Sequence, residues 1–147
     1  MVNPIPPHAK YLVVLAVAAF IVSPENEILI VKKIPGSHID AGLWTIPGGK
    51  VEPDEGLITA LIREVKEEVG FQIKNWNFIG EDVFLHGENS YYYHGLHFYC
   101  RVPNKPVVEL EPGAFTDFAW VTHDKVKNYE FHPNILREIE NVFRLVS

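Results

Sequence analysis

Apolar positions run unbroken through YLVVLAVAAFIV, Tyr11 to Val22, then resume at Ile28 to Lys33 after the turn SPENE. Runs of this length bounded by turn residues predict two buried strands. A Gly-containing loop follows over 33–43, and Leu43 to Ile46 predicts a short extended piece that ends at Pro47-Gly48-Gly49. From Pro53 to Val69 the spacing becomes helical: Pro sits in the first turn, Asp54 and Glu55 suit the positive end, and Gly70 closes the helix. Further strands are predicted near Asn77 to Leu85, Tyr91 to Val102 and Asp117 to Val121. In the second of these, Leu96, Phe98, Cys100 and Val102 share one face, and His97, Tyr99 and Arg101 the other. A last helix from Pro133 to Leu145 carries the stripe Ile135, Leu136, Ile139, Val142 and Phe143. Strands and helices are mixed without strict alternation, which predicts an α+β fold with a mixed sheet between helices, an α/β/α sandwich. No repeat or linker divides the chain, so one domain over 1–147 is expected.

The first predicted helix has an unusual distribution of charge. With Leu57 at zero and about 100° per residue, Leu57, Ile58, Leu61, Ile62, Val65 and Val69 fall between roughly 0° and 140°. Glu68 lands near 20°, Glu64 near 340° and Glu67 near 280° by the same step. The three carboxylates therefore form a patch on the rim of the apolar face, with Glu68 partly inside it. Like charges at these spacings repel by a few tenths of a kcal/mol per pair on an open surface, and more when partly buried. Clustered carboxylates are hard oxygen ligands of the kind Mg²⁺ accepts. A solvated acidic helix is the alternative reading of the wheel alone. Arg63 lies beside Glu67 and is placed to orient a glutamate.

Thirteen Lys and Arg against nineteen Asp and Glu give a net charge of −6, the wrong sign for gripping a nucleic-acid polymer. Small phosphorylated ligands are not excluded, because a bound metal reverses the local field. The twelve apolar residues from Tyr11 to Val22 are too few for a membrane span, which needs about twenty. Lys10 before that run resembles a secretory leader, but the run leads into a turn and a second strand, with no small-residue cleavage pattern. A single cysteine, Cys100, excludes an internal disulfide, so a reduced, cytoplasmic setting is expected.

The stretch GKVEPDEGLITALIREVKEEVGF, Gly49 to Phe71, resembles the box of the Nudix hydrolases. Gly49, Glu55, Arg63-Glu64, Val65, Glu67-Glu68 and Gly70 fill every fixed position, and Phe71 stands where an aliphatic is usual. LWTIPGG before the box and FAWVTHDKV near the end extend the likeness. The resemblance implies a Nudix fold and hydrolysis of a phosphoanhydride with Mg²⁺ or Mn²⁺. It implies Glu64, Glu67 and Glu68 as metal ligands, with the backbone carbonyl of Gly48 as a further one. Glu68 or Glu67 is the implied base or water-orienting group, while Arg63 and Glu55 tie the helix to its preceding loop. Gly48 and Gly49 let the backbone approach a diphosphate. Lys33 and Lys50 are candidate phosphate contacts, each equally readable as a solvated lysine.

Some relatives carry another acid six residues before the late tryptophan; here Ala114 stands there, with Glu109, Glu111 and Asp117 nearby. YEFHPNIL resembles the helix start of the MutT-like branch, which implies that Asn134 reads a base edge; a plain helix-start role is the alternative. Trp44, Phe131 and Tyr93 are candidate stacking residues, or simply core. The histidines show no metal-ligand spacing, and HGENSYYYHG predicts a hairpin whose tyrosines flank either the pocket or a homodimer partner. The expected substrate is a small nucleotide, foremost a nucleoside triphosphate cut to monophosphate and pyrophosphate. The short stretch before the first strand favours it over an ADP-ribose or nucleotide-sugar substrate. A non-catalytic nucleotide sensor is the reading from another class, and the complete set of box glutamates argues against it.

Overall fold

A computed structural model describes residues 13–86 and 91–147. The expected strand start at Tyr11 and the turn of the HGENSYYYHG hairpin lie outside those residues. Among the described residues seven strands form one open mixed sheet: β1 (Val13–Val22), β2 (Ile28–Lys33), β3 (Trp44–Thr45), β4 (Gly48–Lys50), β5 (Asn77–His86), β6 (Tyr91–Arg101) and β7 (Phe115–Val121). The path is β3-β2-β1-β6-β5, with β4 on β1 and β7 on β2. Among the described strand pairs, β1 and β6 alone run parallel, from Val13↔Tyr92 to Val22↔Arg101.

Strands β1 and β2 meet only at Val22↔Ile28 and then part. In the space that opens, β4 pairs with Ala16, Val17 and Ala18 of β1. Gly48-Gly49-Lys50 is thus a strand of its own rather than the end of the preceding piece. Gly48 has to be small, because a Cβ there would lie 2.3 Å from the carbonyl oxygen of Val17.

Helices cover both faces, which is why β1 is apolar without alternation. Val17, Ala19 and Ile21 pack with Leu29, Val31 and helix α1 (Leu57–Val69). Phe20, Val22, Ile28 and Ile30 pack with helix α2 (Pro133–Val146) and with Val126 from a 3₁₀ helix over His123–Asn128. On β6 the predicted faces hold: Phe98 and Cys100 go to the α1 side, Tyr99 to the α2 side.

Helix α1 begins at Leu57, four residues later than the Pro53 reading, and no acid stands in its first turn. Gly56 is its extended N-cap, and the Glu55 side chain is held instead by Arg63 further along the helix. Gly70 ends it in the left-handed region at φ 87°, donating its N–H to the carbonyl of Lys66. Helix α2 starts as expected, with Pro133 in the first turn and His132 Nδ1 accepting from Asn134 N–H at 3.2 Å.

Candidate active site

Packing of α1 against β4 brings the box glutamates to the backbone of Gly48 and Gly49. Gly48 N–H donates to Glu68 Oε1 at 3.3 Å. At Gly49 the fit to Glu64 is closer still: a Cβ there would lie 2.4 Å from the Glu64 carboxyl carbon. Glu68 keeps only 7% of its surface exposed, whereas the Glu67 side chain keeps 51%. The helical wheel's placement of Glu68 inside the apolar face is therefore realised, with Glu64 at its edge and Glu67 facing water.

Arg63 ties this cluster together. Its Nε and Nη2 donate to the two oxygens of Glu55 at 2.6 and 2.8 Å. Nη1 donates to Glu64 at 2.9 Å and to Glu67 at 3.2 Å, and Nη2 reaches the Lys50 carbonyl at 3.1 Å. The guanidinium holds the Glu55 carboxyl down at about 2, against 4.5 ordinarily. Glu55 also accepts from Glu52 N–H at 3.1 Å, so the loop before α1 is fastened to the helix through one acid.

Burial pushes Glu68 up to about 9, and the neighbouring charges of Glu64 and Glu111 add to the shift against the Gly48 hydrogen bond. Glu64 is raised as well, first by burial, although Arg63 opposes it. Two adjacent carboxyl groups that resist ionising together are a site short of positive charge. Among the described residues no three His, Cys, Asp or Glu side chains stand at ready-made metal spacing. The donor chemistry nevertheless fits a divalent cation: all oxygen, partly desolvated, with electrostatic strain that a dication would relieve.

A cavity of about 630 Å³ opens onto Glu68, while Glu64 and Glu67 lie outside its lining. Gly48, Gly49, Lys50, Glu68 and Lys33 all border it. Burial lowers the Lys33 ammonium, and Asp40 and Glu68 counter that effect, so this lysine is a cavity group rather than a solvated one. Lys50 is exposed, its Nζ 5.7 Å from the centre of the Tyr93 ring. Of the three acids near Ala114, Glu111 borders the cavity and faces Glu68, while Glu109 packs beside Gly70 and Asp117 is exposed on β7. Glu109 and Glu111 N–H groups donate to the carbonyls of Val69 and Glu68 at 2.9 and 3.0 Å. That strap satisfies the end of α1 and fixes Glu111 against the cluster.

The remaining candidates for substrate contact divide. Tyr93 borders the cavity, stacked on Phe84 at 5.2 Å. Trp44 and Phe131 lie outside its lining: Phe131 is buried beneath α2, and Trp44 meets Tyr129 edge-on at 4.9 Å. Asn134 also lies outside the lining and instead donates through Nδ2 to Asp82, which does line it, at 3.0 Å. Sequence reasoning missed Asp82 and Phe84 as a wall of the site, and it named Glu111 without separating it from Glu109 and Asp117. Only the pairing of β5 with β6 brings the first two there.

Residues 13–140 match the NUDIX domain, and the chain belongs to that family. It is 31% identical over 121 residues to the nucleoside triphosphatase NudI of Klebsiella pneumoniae (strain 342), covering 76% of this chain and 84% of the relative. It is 40% identical over 72 residues to the CTP pyrophosphohydrolase of Escherichia coli (strain K12), covering 49% of this chain. That match spans 50% of the relative's own length. Among solved structures, the MutT protein from Methanosarcina mazei Go1 superposes with a TM-score of 0.76 at 27% identity, over 92% of this chain and 95% of that one.

Proposed function

We propose that this protein is a pyrophosphohydrolase of small nucleotides, a single domain dependent on Mg²⁺ or Mn²⁺, that cuts nucleoside triphosphates to the monophosphate and pyrophosphate. The observation that carries the reading is the pair of partly buried carboxyl groups, Glu64 and Glu68, set against the Gly48-Gly49 backbone, with Glu68 and both glycines lining a nucleotide-sized cavity. The names of the relatives support the substrate class. Among the described residues no helix is long and apolar enough to cross a membrane, which is compatible with a cytoplasmic enzyme.

Glu64, Glu67, Glu68 and the Gly48 carbonyl would hold the divalent ion. When bound, the ion screens the phosphate oxygens and lowers the pKa of a coordinated water. The chain supplies the rest. Glycines 48 and 49 admit the phosphate chain to the backbone, and Lys33 meets its charge from within the cavity. Arg63 fixes the rotamers of Glu64 and Glu67, so the carboxylates are oriented before substrate arrives. Water forms a bond to one phosphorus of the scissile link, the bridging P–O bond breaks, and the water's proton passes to a carboxylate. Glu67 and Glu68 on the helix are the proposed acceptors, and Glu111 faces the same space from its loop.

A nucleotide panel with identified products tests the proposal directly. Mg²⁺-dependent release of pyrophosphate from nucleoside triphosphates is expected, with a loss of at least about 100-fold in Glu67→Gln, the scale of acid–base catalysis. ADP-ribose or a nucleotide sugar as the only substrate cleaved would move the chain to the other branch. Binding without cleavage of any nucleotide would make it a sensor.

A further inference from the structure

One wall of the cavity is built from alternate residues of β5 and β6, among them Asp82, Phe84, Tyr93, Gly95 and His97. Phe84↔Tyr93, Asp82↔Gly95 and Gly80↔His97 are cross-strand partners, so these six share the α2 face of the sheet. The two glycines keep that floor open. At Gly95 an added Cβ would lie 3.5 Å from His97 Nε2, so the glycine leaves this nitrogen uncovered toward the cavity that both residues line. Gly80 leaves room for the carboxyl of Glu138, which comes down from α2.

His97 is 5% exposed and faces Glu138, with Nδ1 to Oε2 at 3.8 Å. Its Nδ1 and Glu138 Oε1 are both buried and without a hydrogen-bond partner. An imidazole beside a buried carboxylate turns its N–H toward it, which leaves the other ring nitrogen as an acceptor. Burial lowers the His97 pKa against the pull of Glu138 and Asp82, which favours the neutral ring. Asp82 brings a second acceptor, its carboxylate oriented by Asn134, whose own carbonyl accepts from Arg137 at 2.7 Å. Phe84 and Tyr93, stacked at 26°, complete the surround with flat apolar faces.

From this arrangement we infer that His97, oriented by Glu138, and Asp82 form a base-reading subsite that selects nucleobases bearing an exocyclic amino group over their keto counterparts. The inference rests on the pyrophosphohydrolase reading for the phosphate end and adds the identity of the base. Cytosine offers its amino hydrogens to the two acceptors. Uracil would set a carbonyl oxygen against them, leaving buried polar atoms unpaired, which is the more costly kind of mismatch. The base lies against the Phe84–Tyr93 pair. Glu138 is a positioning residue here, since it acts only through the imidazole.

The test is the ratio of kcat/KM for CTP over UTP. At least about a tenfold preference for CTP is expected in the wild type, a modest share of what a hydrogen-bonding site can enforce. Gly95→Ala, whose new methyl makes only ordinary contacts, should fold normally and bring the ratio close to one. Glu138→Gln, able to donate to Nδ1 and so reverse the imidazole's polarity, should lower the ratio as well. A purely structural role for Glu138 would change both substrates alike and leave the ratio intact, which would overturn the assignment. Equilibrium binding of non-hydrolysable α,β-methylene analogues of CTP and UTP gives a reading free of turnover. Equal or absent binding of the two by the wild type would overturn the base subsite. The pyrophosphohydrolase reading would still stand if both triphosphates were cleaved, and would fall separately if none were.

Discussion

Glu68→Gln should move activity and stability in opposite directions. In the divalent-free protein the Glu68 carboxyl titrates at about 9 instead of 4.5, chiefly through burial. For an acid raised on folding, the folded state holds a proton that the unfolded chain has released, so stability is greatest below pH 4.5. It falls as pH rises toward 9 and is level beyond. A pH of 7.5 lies three units above the ordinary carboxyl value of 4.5, and at about 1.4 kcal/mol per unit the upper bound is ~4 kcal/mol. Glu64 faces the same charge and shares the burden, so the variant should recover on the order of 1–2 kcal/mol. For a chain of this size that is a rise in Tm of roughly 2–8 °C. Gln keeps an oxygen for the Gly48 N–H, so the hydrogen bond survives. The assay is thermal unfolding of both proteins in chelator at pH 5 and pH 7.5, beside hydrolysis in Mg²⁺. The variant should be the more stable at pH 7.5, near parity at pH 5, and at least about 100-fold slower in turnover. Lower stability of Glu68→Gln at pH 7.5 without divalent ions would refute the reasoning.

The two neighbouring glycines should give different phenotypes. Gly49→Ala pushes against the movable carboxyl of Glu64, so the fold should persist with a Tm close to wild type while turnover drops by about 100-fold, the scale of a misplaced catalytic group. Gly48→Ala pushes against backbone of β1 and should lower stability by about 1–3 kcal/mol, read by denaturant unfolding. Glu55→Gln should flatten the acid limb of the stability profile: wild-type stability contributed by Glu55 is complete above pH 4.5 and lost toward pH 2, and the variant lacks that slope.

How far the sequence reveals the site depends on how local each part is. Glu64, Glu67 and Glu68 share one helix turn, so a 100° step placed them on the rim of the apolar face, and Glu68 is indeed buried. Alternation on β6 separated Phe98 and Cys100 from Tyr99 and His97 for the same reason. The start of α1 was less legible. Pro53, Asp54 and Glu55 are ordinary first-turn residues, yet the Arg63–Glu55 pair holds them in the preceding loop. Strand β4 was missed because Pro-Gly-Gly has no strand propensity; its pairing comes from the space left as β1 and β2 part. Choosing Glu111 over Glu109 and Asp117 needed the strap across the end of α1. Asp82, His97 and Glu138 come from three elements and meet only through the β5–β6 register and the docking of α2. Gly80 and Gly95 on those strands were the available hint, since glycine within a strand marks a close approach.

All of this depends on divalent-ion capture by the box carboxylates, and isothermal titration of Mg²⁺ or Mn²⁺ into the protein with a non-hydrolysable nucleotide present measures it most directly. Saturable uptake by the wild type, lost in Glu64→Gln and Glu68→Gln variants that remain folded, is the predicted result. No uptake by the wild type, or uptake undiminished in both variants, would contradict the account.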